Sequence, residues 1–160
     1  MQTAVLLLGV TILTIIAYCD VRERRIPNVL SLAVGALGLT RLLLAGDPIA
    51  AGYTLIAATA VLVVAFLLFW HGVIGGGDAK LIPAMVLFIG YSDLLDFLFL
   101  MSMCGGLLAL IIIARDKVSP RGLQASVAGI DASTRSTVPY GVAIAAAGVV
   151  TLVLENTLTR

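Results

Sequence analysis

Residues 49–70 run from Ile49 to Trp70 without one charged side chain. A stretch of that length meets the roughly 20 apolar residues a helix needs to cross the hydrocarbon of a bilayer. It has company. Residues 3–19, 29–45, 94–114 and 138–154 are also apolar, and residues 81–91 form a sixth, shorter run. The 160-residue chain is 61% hydrophobic and 12% charged, whereas soluble domains carry about a quarter charged residues. A soluble domain of this size has too little interior to hide so much apolar surface. The expectation is an all-α polytopic membrane protein of six transmembrane helices, one membrane-embedded domain over residues 1–160.

Charge placement orients it. Of the ten lysines and arginines, Arg22, Arg24, Arg25, Lys80, Arg115, Lys117, Arg121 and Arg135 fall in the connections 21–28, 71–80 and 115–137. With six crossings these connections share one face, and basic loops stay cytoplasmic. Arg41 and Arg160 fall toward the other side, so both termini are expected outside, in the periplasm. The first run lacks a basic start and a small-residue cleavage site, and reads as a retained span rather than a signal peptide. A net charge of +1 speaks against a nucleic-acid partner. Cys19 and Cys104 form no CxxC pair, and nothing in their spacing suggests a zinc site or disulfide framework. No metal or cofactor is expected, and membrane lipid is the expected surroundings.

The fourth run is too short to span unless its helix begins near Asp78. It would then hold roughly 14 residues, or ~21 Å at 1.5 Å per residue, and Asp78 would sit recessed into the membrane. Asp78 follows Gly75, Gly76 and Gly77 and precedes Lys80. Asp20 closes the first apolar run. Parity puts both acids on the cytoplasmic face, where they are able to meet. A close pair of carboxylates resists double ionisation and holds one shared proton. One member then takes a proton from water while the other gives one to a substrate carbonyl. That chemistry hydrolyses a peptide bond without a metal or a covalent intermediate. Three consecutive glycines admit torsions closed to other residues and let another chain come close. Taken singly, each acid has a plainer reading: Asp78 as a helix cap after a turn, Asp20 as an interfacial ion-pair partner of the nearby arginines. Intramembrane acids are nonetheless functional by default.

Residues 20–28, Asp-Val-Arg-Glu-Arg-Arg-Ile-Pro-Asn, resemble the D-x-x-x-x-x-I-P-N stretch of type IV prepilin peptidases. Residues 75–81 resemble the G-x-G-D-x-K motif of that family, and residues 138–144, Val-Pro-Tyr-Gly-Val-Ala-Ile, its V-P-Y-G-x-A-I segment. The three occur in the family's order and cover nearly the whole chain. The resemblance implies an aspartic membrane endopeptidase of the bacterial inner membrane that removes the basic leader of prepilins at the cytoplasmic face. Asp20 and Asp78 match its catalytic aspartates. The chain lacks the paired-CxxC cytoplasmic domain of the larger bifunctional members, so no N-methyltransferase activity is expected. Its short form looks most like the branch serving tight-adherence (Flp-type) pili, with an Flp-type prepilin as substrate.

The remaining motif residues carry two readings each. Lys80 either screens the acids or touches substrate, or else snorkels to the interface. Pro27 and Asn28 begin the second span, where proline is ordinary. Pro139 begins the last one, Tyr140 either bonds near the acids or anchors at the interface, and Gly141 leaves room for a neighbouring helix. Tyr18 is turned away from Asp20. His71 has no evident metal partners, and Asp93 and Asp96 fall on the far side from the pair. Leu123, Val127 and Ile130 admit a helix lying on the membrane surface or a loose loop. The rival functions are a small proton- or cation-coupled transporter, whose acids would be spaced along a path rather than gathered at one face, and a non-catalytic pilus-assembly subunit.

Overall fold

A computed structural model describes residues 2–23, 26–118 and 140–158. They form six helices: α1 (Gln2–Glu23), α2 (Asn28–Ala45), α3 (Pro48–Trp70), α4 (Gly76–Ile89), α5 (Leu94–Val118) and α6 (Tyr140–Leu158). Among the described residues there is no strand. The outer surface is apolar: Leu32, Leu43 and Leu95 are each at least three-quarters exposed. Hydroxyls are hidden from that surface by local bonds. Thr11, Thr40, Thr59 and Thr151 each donate to the carbonyl four residues back, as such side chains do in apolar helices. The chain is an all-α polytopic membrane protein.

Four of the six helices, α1, α2, α3 and α5, are long and apolar enough to cross a membrane. This is fewer than the six full spans expected. The apolar part of α6, Tyr140–Glu155, is shorter, and α4 has 14 residues, about 21 Å against a core of about 30 Å. The fourth helix starts at Gly76, five residues before the apolar run, and takes in Asp78.

Turn chemistry sets the boundaries. α2 ends at Gly46 in the left-handed region (φ 70°), a conformation glycine adopts without cost. Asp47 Oδ1 then accepts the Ile49 and Ala50 N–H groups at 2.9 and 3.1 Å, with Pro48 opening α3. Gly90, at φ 104°, closes α4.

Short α4 is the centre of the bundle. Eight of its residues are buried, including Leu81, Met85, Val86 and Phe88, and α2, α3 and α6 enclose it. A helix apolar on all sides must be so surrounded. Glycines let its neighbours come close. A methyl on Gly38 of α2 would lie 2.7 Å from the Leu87–Phe88 backbone, and one on Gly148 of α6 would meet Met85 Cε. Small residues at helix contacts are the usual device where lipid supplies no hydrophobic drive. α1 lies against α2 and α6, and α5 packs chiefly on α6.

Successive helices alternate in direction. Gly9 lies by Phe88 and Gly148 by Leu13, so α1 runs opposite to α4 and α6. Asn28 and Gly38 lie by Lys80 and Leu87, so α2 and α4 run together. The 1–2, 3–4 and 5–6 connections therefore share one end. At the other end Arg41 pairs with Glu155, lies over the Phe88 ring and donates to the Phe88 carbonyl at 2.8 Å. That tie joins α2, α4 and α6.

Candidate active site

The buried stripe of α1 is Gly9, Leu13, Ile16 and Asp20, spaced as one helical face. α1 continues to Glu23, so Asp20 is not at the end of its helix, as the apolar run suggested, but on its inward face, 6% exposed. Burying an acid costs stability unless donors meet it. Here they come from the start of α6. The Val142 N–H donates to Asp20 Oδ2 at 3.1 Å, and the Gly141 N–H also points to the carboxylate. A helix N-terminus suits an anion, since its first N–H groups have no partner within the helix.

Gly141 is why α1 comes so near. A Cβ there would lie 2.8 Å from Asp20 Cγ and Oδ2, and 2.9 Å from Ile26 Cδ1. The neighbour that this glycine accommodates is thus a carboxylate.

Asp78 occupies the third helical position of α4, with Gly75 as N-cap. Its carboxylate reaches back to the Gly75 N–H, as the acid of a capping box does. The plain reading of Asp78 as a cap and its reading as a site residue are therefore both met by one geometry. Ile26 lies against Gly77, the residue before Asp78, and against Gly141, which meets Asp20, so acids 58 positions apart in sequence lie at the same end of the bundle, the end holding the 1–2, 3–4 and 5–6 connections.

The glycine run does not serve the unusual torsions expected of it. Gly75 has φ −72°, Gly76 and Gly77 are helical, and the positive-φ glycines among the described residues are Gly46, Gly72 and Gly90. What the run supplies is room. A Cβ on Gly75 would lie 3.2 Å from Asp78 Oδ2, one on Gly76 3.1 Å from the Phe69 ring, and one on Gly77 3.1 Å from Ile26 Cβ. Ile26 thus fits between Gly77 of α4 and Gly141 of α6, beside Asp20. It joins all three motifs, a role hidden in the sequence because it depends on what two distant glycines lack.

Lys80 is not with the acids. Two helical positions from Asp78, it faces the opposite way, and its Nζ donates to Asn28 Oδ1 at 3.1 Å. Both line a groove of about 820 Å³ between α2, α3 and α4. Pro27 precedes α2 as its N-cap residue, exposed and without a side-chain cap bond. Tyr140 packs its ring over Gly105 of α5, where a Cβ would lie 3.2 Å away, and lines a second cleft that contains Asp78. Pro139 and the 118–136 segment lie outside the described residues, apart from Val118 at the end of α5. Tyr18 is exposed and accepts a bond from Arg22. Asp93 and Asp96 lie at the start of α5, at the end of α4 away from Asp78.

Sequence reasoning missed the Val142 N–H, since a backbone donor has no side-chain signature. The only available signal was the helix start at the third motif.

A model of the type IV leader peptidase family matches residues 7–110. That stretch holds Asp20, Ile26, Asn28 and Asp78. No curated protein and no solved structure matches the chain.

Proposed function

The chain belongs to the type IV leader peptidase family, and so is a membrane-embedded aspartic endopeptidase acting on prepilin-type substrates; we propose that Asp20 and Asp78 are its catalytic pair. The observation that carries this is the packing of two acids from α1 and α4 at one end of the bundle, around Ile26 and the glycines Gly77 and Gly141, with Asp20 held by the Val142 N–H at the start of α6 and Asp78 in the first turn of α4.

The pair holds one proton between its members, as carboxylates in electrostatic contact do. Its ionised member draws a proton from a water as that water attacks the scissile carbonyl. The protonated member gives its proton to the carbonyl oxygen. The tetrahedral intermediate then collapses: one of its hydroxyls returns a proton to the pair, the pair gives a proton to the amide nitrogen, and the C–N bond breaks, which leaves the pair again with its single proton. The N–H donors from Val142 and Gly75 fix both carboxylates before substrate arrives, so little reorganisation remains for the reaction.

The acids face the cytoplasm in this reading, both termini lie in the periplasm, and all six helices cross the inner membrane. Support comes from the eight basic residues that lie in the three connections at the dyad's end or in the helix segments flanking them. α4 crosses as a short, enclosed helix with Asp78 recessed below the interface. The substrate is an Flp-type prepilin whose basic leader stays in the cytoplasm.

The test is leader removal. The chain is co-expressed with pilins encoded beside it, and processing is followed by gel shift for wild type, Asp20→Asn and Asp78→Asn. Processing by wild type and by neither variant is expected. Full processing by either variant would remove that acid from the mechanism. Ion flux into vesicles that requires both acids, with no processing, would favour a transporter instead.

A further inference from the structure

Among the described residues, two grooves flank α4, and they differ in what lies at their ends. The one between α2 and α3 ends at Asn28 and Lys80. The other, of about 370 Å³, lies between α3 and α5 and ends at Asp78. Val64 and Leu68 of α3 form one wall, Leu98 and Met101 of α5 the other, and Ile82 and Ile144 the floor. It exists because α5 packs chiefly on α6, so that α3 and α5 stand apart over α4.

We propose that this α3–α5 cleft is the docking site for the apolar stretch of the substrate adjoining the scissile bond, and that Val64, Leu68, Leu98 and Met101 determine specificity for it. The proposal rests on the peptidase reading above. Three observations select the occupant. The cleft is continuous with the site, since Asp78 forms part of its lining. The surface of that lining is almost wholly apolar, which suits a hydrocarbon-soluble segment and not a polar leader. Val64 is more than half exposed on the outer surface, so a helix already in the bilayer enters sideways without its apolar face meeting water. The α2–α3 groove is larger but places Lys80 at its mouth, on the face of α4 turned from Asp78. A bond presented there would not reach the pair.

The dimensions restrict what is read. The α3 wall covers residues 60–68, or about 12 Å at 1.5 Å per residue. That is about two turns of a docked helix at 3.6 residues each. Selectivity should therefore fall on the side chains within roughly two turns of the scissile bond and be weak beyond them.

The experiment has two arms, both on the full chain in proteoliposomes. In the first, Val64→Trp and Leu98→Trp fill the cleft, while Leu32→Trp and Leu62→Trp fill the other groove. Cleft filling should raise KM for prepilin about tenfold or more with kcat changed less than threefold. The other pair should leave KM unaltered. In the second arm, p-benzoylphenylalanine is placed at position 98 or 32 of the Asp78→Asn protein and irradiated with prepilin. Adducts with the substrate's apolar stretch are expected from position 98 alone. Unchanged KM in the cleft variants, or adducts with lipid only at position 98, would overturn the inference while leaving peptidase activity intact. Substrate adducts at position 98 without cleavage by wild type would sustain the dock and defeat the peptidase reading.

Discussion

Gly141→Ala is the smallest change that separates the proposed pair from the fold that carries it. The new methyl would sit 2.8 Å from Asp20 Cγ and Oδ2 and 2.9 Å from Ile26 Cδ1. Carbon contacts relax at about 3.5–4.0 Å, so the overlap is roughly 0.7 Å or more. The methyl belongs to the α6 backbone, whereas the Asp20 carboxylate can rotate, so Asp20 yields. Yielding breaks the 3.1 Å bond from the Val142 N–H; hydrogen bonds to charged groups contribute about 1.5–3 kcal/mol. Overpacking of this kind costs about 1–3 kcal/mol in stability. A misplacement near 1 Å at a reacting group costs about 100-fold in rate, equal to about 2.7 kcal/mol of activation free energy. The expected variant is folded, modestly less heat-stable in detergent, and roughly 100-fold lower in kcat, with KM little changed. Ile26→Val removes Cδ1 and gives the methyl somewhere to go, so Gly141→Ala with Ile26→Val should regain part of the rate. Wild-type kcat in Gly141→Ala, with unaltered stability, would refute the packing of Asp20 under the start of α6.

Asp20→Asn and Asp78→Asn should each lower cleavage by at least about 100-fold, the lower range for a positioned acid or base, while detergent melting shows both folded. Lys80→Met and Asn28→Ala should couple by about 0.5–1.5 kcal/mol in a double-mutant stability cycle, whereas Lys80→Met and Asp78→Asn should add independently; coupling of Lys80 to Asp78 would contradict the opposed faces. Arg41→Ala should cost somewhat less than the roughly 3–5 kcal/mol of a broken buried pair, because both partners are 24% exposed. Replacing Arg41 and Glu155 together by Met should cost less than the sum of the single changes, read by thermal unfolding. Gly38→Ala presses on the Leu87–Phe88 backbone, which cannot rotate aside, so it should destabilise the bundle more than Gly9→Ala, which meets the end of the Phe88 ring.

Some of the site was legible because it depends on local patterning. Asp20 closes the first apolar run, and Asp78 follows three glycines at the only point where the short fourth run can gain a usable length; the stripe of Gly9, Leu13 and Ile16 that Asp20 extends shows only in the burial, since residues 3–19 are apolar on every face. The glycine run was harder. Its sequence suggests torsional freedom, yet its torsions are ordinary and its function is to make room for Phe69 and Ile26. Lys80 was ambiguous for a related reason. Adjacency in sequence to Asp78 suggested a shared task, but a two-residue step on a helix reverses direction and sends it to Asn28.

Apolar runs, basic-residue placement and the order of three motifs determine the membrane class, the places of the long apolar helices and which two acids stand out, because hydropathy and helical period are local properties that each segment carries alone. Their meeting is not local. It requires α4 to be enclosed by α2, α3 and α6, Gly141 to admit Asp20, and Ile26 to fit between two glycines whose missing side chains leave the space. The gap between α3 and α5 is likewise a product of packing, since it follows from α5 resting on α6. Only the tertiary structure decides these things, because contacts between distant segments depend on the shapes of both surfaces at once.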